Sequence, residues 1–212
     1  MACFSKDDYS QVLSEIRERL LSAEILSKET SIVFVESTAL QIRKILELIA
    51  YLSVLVNVEK LNHQEQNEWH PKKIIEALNI KTTVFYPLPS HIFPPNETNG
   101  QPTLVPFGYG CALSQNEFLD AYSKCGKILH AQHPFKEKQD IDQYFIDHKN
   151  VLKKTKELLQ SHTIGIRHAS NKYTFLFVEF DFTNTERTIP TKIQEYKTHI
   201  YSESELKEIF GK

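Results

Sequence analysis

Apolar residues recur at helical spacing over most of the first 160 positions and give way to β-branched and aromatic runs beyond them. In "SKDDYSQVLSEIRERLLSAEIL", Tyr9, Val12, Ile16, Leu20 and Leu21 recur at helical spacing. Ser5, with Asp8 three residues on, is a capping signature, so a helix over about 6–26 is expected. The strongest apolar pattern follows in "ETSIVFVESTALQIRKILELIAYLSVLVNVEKLN", where Ile42, Ile45, Leu46, Ile49, Leu52 and Val56 define a broad face. Its opening, "SIVFVE", suits a strand equally well because β-branched residues dominate it. No glycine or proline interrupts the stretch, and one long helix over about 31–60 is the expectation. "NEWHPKKIIEALNI" predicts a short third helix with Pro71 near its first turn.

The texture changes between Thr82 and Gly110, which hold six of the nine prolines. A long loop is expected there, with one hairpin around "NETNGQP". Loops of this length in compact domains are usually functional or mobile. Ser114 and Glu117 then form a capping box in "SQNE", opening a helix that should run to about His130 and stop before Pro134. "KQDIDQYFIDHKNVLKKTKELLQSH" reads as a further helix, with Ile141, Tyr144, Phe145, Val151, Leu152, Leu158 and Leu159 largely on one stripe. "TIGIRHASNKYTFLFVEFDF" predicts a β-hairpin around "ASNK", a third strand is expected at about 187–197, and "SESELKEIFGK" suggests a short terminal helix. A lone hairpin is not stable in water, so this one must pack on the bundle or pair with another chain. The expected architecture is mainly α: a helical bundle over 1–160 carrying the proline-rich loop at 82–110, and a small antiparallel β-hairpin or three-strand appendage over 161–212 packed on it.

Composition narrows the function classes. With 25 basic and 27 acidic residues the net charge is −2, so any contact with nucleic acid needs a local basic patch. Three cysteines, Cys3, Cys111 and Cys125, without CxxC spacing argue against a disulfide framework and a cysteine zinc site, and point to a reducing cytoplasm. "MACFSKDDYS" does not read as a signal peptide, and the most apolar run, Ile45 to Val56, is too short to span a bilayer. No membrane association is expected.

Common catalytic signatures are missing: there is no phosphate-binding glycine loop, GxGxxG, HExxH or GxSxG. His130 and His133 in "HAQH" are a possible pair of metal ligands, but no carboxylate or cysteine near them has convincing ligand spacing, so neither a metal nor a cofactor is expected. Arg43 and Glu47 form an i, i+4 pair, with Glu36 two turns before Arg43 on the same side of the long helix. They read either as a solvated salt bridge or as a charged pair facing a cavity inside the most apolar helix. Lys72, Lys73, Lys153 and Lys154 are the candidate phosphate contacts if RNA binds; otherwise they lie on solvated helix faces. His130 either caps and packs the end of its helix or acts as an acid–base group near neutral pH.

"ESTALQIRKILELIAY", with Arg43, Lys44, Leu46 and Glu47, followed by "YSKCGKILHAQHPF", with Leu129, His130 and Ala131, resembles the HEPN superfamily over roughly residues 6–160. The resemblance implies a helical-bundle effector from bacterial defence, toxin-like or mobile-element systems. It further implies a homodimer acting on RNA or another nucleic acid. Catalytic members are metal-independent RNases marked by an arginine, four to six residues, and then a histidine ending the helix. Here those arginine positions carry Cys125, Lys124 and Ser123. Lys124 has the required charge but lacks the planar fork that grips phosphate. Lys127 lies one turn before His130 and is the competing cation. The catalytic set implied is His130, Lys127, Lys124, Arg43 and Glu47. Many members of the superfamily are non-catalytic, and a dimerisation or protein-interaction module on the same bundle is the alternative.

Overall fold

The computed structural model describes residues 4–95, 100, 102–131, 135, 140–167, 173–182 and 191–197. Helix α1 (Lys6–Leu26) starts where Ser5 accepts a hydrogen bond from the Asp8 backbone N–H, with Asp7 and Asp8 favourably placed at its positive end. It buries Tyr9, Leu13, Ile16, Leu20 and Ala23, a stripe at three- and four-residue spacing. Helix α2 (Ile32–Val56) is the central element and packs against α1 and three later helices. "SIVFVE" is its first turn and a half, not a strand. Ile32, Val33 and Phe34 remain exposed there while Val35 is buried. The helix ends earlier than its apolar pattern suggests, because the Asn57 side chain donates to the Ser53 carbonyl and a short 3-10 turn (Val58–Lys60) follows.

Helix α3 (His63–Gln66) is a single turn set by a capping box between Asn62 and Glu65. Helix α4 (Pro71–Lys81) begins on Pro71, as expected. Helices α5 (Gln115–Ile128) and α6 (Ile141–Leu159) are the last of the described helices, α5 opening on the Ser114–Glu117 box.

The proline-rich segment carries the hairpin expected around "NETNGQP". It contains strands β1 (Leu88–Phe93) and β2 (Thr103–Pro106), an antiparallel hairpin in which Ser90 faces Pro106 and Phe93 faces Thr103. Strands β3 (Ser161–Arg167), β4 (Tyr173–Glu179) and β5 (Lys192–Lys197) are the predicted C-terminal strands. All five form one antiparallel sheet in the order β2-β1-β3-β4-β5. Pro106 is tolerated because β2 lies at the edge, where a missing N–H breaks no ladder. The terminal helix expected in "SESELKEIFGK" lies outside the described residues.

The architecture is therefore mainly α with a small five-stranded sheet. Helices and sheet share a core: Ile164, Leu176 and Val178 join Leu13, Ile16, Leu46 and Ile49 in one cluster of buried residues. Phe175 and Phe177, alternating with them along β4, are buried too, so β4 is covered on both faces. A polar lock crosses this junction. His162 on β3 is fully buried; its Nδ1–H donates to the Leu159 carbonyl at 2.9 Å, leaving Nε2 to accept from the Tyr9 hydroxyl at 2.8 Å.

Candidate functional site

Of the residues singled out from the sequence, Arg43 and Glu47 lie on α2, Lys124 and Lys127 on α5, and His130 just beyond α5. Helix α5 buries Phe118, Ala121, Tyr122, Cys125 and Ile128. Its N-terminus is tied across the bundle, because Glu117 holds the Ser114 cap and also pairs with Lys154 of α6. Burial alone would raise the Glu117 carboxyl; its bonds to Lys154 and Ser114 outweigh that and hold it below its ordinary value.

Arg43 of α2 reaches across to α5. Its Nη2 donates to the Tyr122 hydroxyl at 2.8 Å, its guanidinium lies 4.4 Å from the ring centre, and its Nε is 3.4 Å from Glu47 Oε1. Tyr122 in turn donates to Glu47 Oε1 at 3.4 Å, and Lys44 takes the other Glu47 oxygen at 2.9 Å. Glu47 is buried and Arg43 partly so, which withdraws most of the pair from solvent. A glycine makes the approach possible: a Cβ on Gly126 would stand only 3.1 Å from Arg43 Nη1. The cluster extends through rings. His70, at the start of α4, meets the Tyr122 ring edge-on at 5.5 Å, and exposed Trp69 meets His70 at 5.8 Å. Glu68 accepts from the backbone N–H groups of Trp69 and His70 and fixes this corner. His70, Tyr122 and Gly126 were not legible as site residues. The only trace of the first was its place before Pro71, and Tyr122 reads as an ordinary core position of an amphipathic helix.

Helix α5 stops at Ile128, and His130 lies two residues beyond, its backbone N–H on the Lys127 carbonyl at 3.3 Å. The His130 side chain is exposed and forms no hydrogen bond to a described residue, so it does not cap through its ring. Lys124 points elsewhere. Its ammonium is 3.0 Å from Asp120 and 2.9 Å from Asp147 of α6, and these bonds raise its proton affinity. Lys127 and Lys124 line a cavity of about 380 Å³ with Asp140, Gln143, Tyr144 and Asp147. Its charge is mixed rather than basic.

The implied catalytic set thus splits. Arg43 and Glu47 form one knot with Tyr122, and Lys124 belongs to a carboxylate pair. Of the candidate phosphate contacts, Lys72 is 3.8 Å from Glu76, Lys73 is 3.4 Å from Glu68, and Lys154 is paired with Glu117. Lys153 lies apart, on a groove between α1 and α6. Among the described residues no group of three histidine, cysteine or acidic side chains is placed to hold a metal, and His133 lies outside them. No described helix is long and apolar enough to cross a membrane. Comparison with protein-family models, curated proteins and solved structures returns no match.

Proposed function

We propose that this chain is a non-enzymatic protein-interaction module built on a HEPN-like helical bundle. The observation that carries this is the pairing of Lys124 with Asp120 and Asp147. An RNase of this type needs a cation beside its histidine to stabilise charge on the reacting phosphate. A phosphate approaching Lys124 would meet two carboxylates first. Arg43 is likewise engaged by Tyr122 and Glu47. The test pairs wild type with His130→Ala in an RNA-cleavage assay and a thermal melt. The expected result is no cleavage by either protein and nearly equal melting temperatures, since the His130 ring is exposed and bonds to no described residue. Cleavage by the wild type that His130→Ala abolishes would overturn the reading.

That outcome would favour the second reading, a dimeric effector acting on RNA in a bacterial defence or toxin-like system. Its support is the exposure of His130 at the end of α5, with Arg43 laid along the same helix one turn earlier, at Gly126. Light scattering on the same samples tests the homodimer, which both readings accommodate.

A further inference from the structure

A cavity lies between the C-terminal half of α1 and α6, and His130 is not among the residues that line it. It measures about 630 Å³, within the range of real binding sites. Its apolar part is aliphatic: Leu21 and Ile25 from α1, and Leu152 from α6. Ile25 is 65% exposed, and Ile146, on the same face of α6 one turn before Lys149, is 59% exposed. Around this surface stand Lys28, Lys149, Lys153 and Lys156, which outnumber the two carboxylates of the lining, Glu24 and Glu157. Only Lys156 has a carboxylate partner, Glu24. Among the described residues no carboxylate lies within ion-pair distance of Lys28, Lys149 or Lys153, in contrast to the paired lysines elsewhere on α2, α4 and α5. Lys149, Lys153 and Lys156 fall at i, i+4 and i+7, so they form a row along one side of the groove, the first two about 6 Å apart along the axis.

We propose that this groove docks an acidic amphipathic helix of a partner protein. The occupant would place aliphatic side chains against Leu21, Ile25 and Leu152, with carboxylates at i, i+4 spacing opposite Lys149 and Lys153. This is the helix-in-groove mode of recognition. Charge and surface chemistry choose this occupant together. Single-stranded nucleic acid would also meet the lysines, but it binds by stacking bases on aromatic rings; the groove is lined by branched aliphatic chains, and the nearby Phe145 ring is already covered by Lys149, whose Nζ lies 4.0 Å from the ring centre. The inference deepens the interaction-module reading by naming its surface and partner class.

The experiment is selection of a displayed library of helical peptides on the intact protein, followed by fluorescence anisotropy with the selected peptides. The expected result is enrichment of sequences with glutamate or aspartate at i, i+4 beside leucine or isoleucine. Their affinity should fall about tenfold or more for the double variant Lys149→Glu/Lys153→Glu, as expected when two rim pairs become repulsive. Both lysines are exposed and the variant loses only the Lys149 contact with the Phe145 ring, so it should stay folded and melt within a few degrees of wild type, and a peptide with its acids changed to lysine should bind it better than it binds wild type. Failure to enrich acidic sequences, or enrichment of peptides that bind the double variant equally well, overturns the proposal. So does displacement of the peptides by equimolar single-stranded RNA or by phosphatidylserine vesicles. RNA cleavage by the protein would sink the non-enzymatic reading and leave the groove result standing, so the two failures are distinguishable.

Discussion

Mild acid should loosen this fold well before its carboxylates titrate. His162 and His148 are buried, and burial pushes both imidazoles down to about 4 from an ordinary 6.5. His162 can hold no second proton without losing the bond it accepts from Tyr9, and His148 has an Nε2 with no partner. On unfolding each ring returns to its ordinary value. Below pH 6.5 the unfolded chain therefore binds protons that the folded chain refuses, and stability drops as pH falls towards 4. The slope is about 1.4 kcal/mol per pH unit for each histidine, so at pH 5 the loss is about 2 kcal/mol each and about 4 kcal/mol together. That is a large share of the 5–15 kcal/mol typical of a domain. The assay is urea unfolding followed by circular dichroism at pH 7 and pH 5. Between those values the carboxylates held low, Glu65, Glu68, Glu117 and Asp147, contribute little, because they stay mostly charged in the unfolded chain as well as in the folded one. Replacing His148 with Leu should cut the pH-dependent loss to about half. A urea midpoint that does not move between pH 7 and pH 5 would refute the reasoning, and so would an unchanged loss in the His148→Leu variant.

Two further outcomes follow from the α5 packing. Ser114→Ala removes the cap that starts α5 and should lower stability by about 1 kcal/mol, read from the urea midpoint. Tyr122→Phe removes the hydroxyl shared by Arg43 and Glu47; it should cost about 1–2 kcal/mol and lower the melting temperature by several degrees, whereas an unchanged melt would show that the knot is not structural.

Local chemistry was legible and long-range chemistry was not. The Ser5 and Ser114 caps act within three residues, and both helices start where the sequence places them. The hairpin around "NETNGQP" was legible from its turn residues, but not that β1 continues into one sheet with the C-terminal strands, nor that Pro89 and Pro106 lie within its strands. Neither disrupts the sheet: Pro106 sits on the edge strand, and β1 pairs with β3 only over Leu88 and Pro89. At the candidate site, the i, i+4 spacing exposed Arg43 and Glu47. What decides their role is Tyr122, 79 positions from Arg43, and no helical period reports such a partner. Likewise, the charge of Lys124 suggested phosphate until Asp147, 23 positions on, was found beside it.

The place of β3 in the sheet bears on how the chain is made. The β1–β2 hairpin is synthesised before α5 and α6, yet the inner edge of β1 finds its neighbour only when β3 emerges. Until then that edge carries unpaired N–H and C=O groups, the kind of template that recruits strands from other chains. The ribosome therefore delivers the helical part with an open strand edge, and β3 later covers its Leu88–Pro89 end. Damage or truncation after residue 160 would strike solubility first, through the nascent hairpin, even though every described helix had already been made.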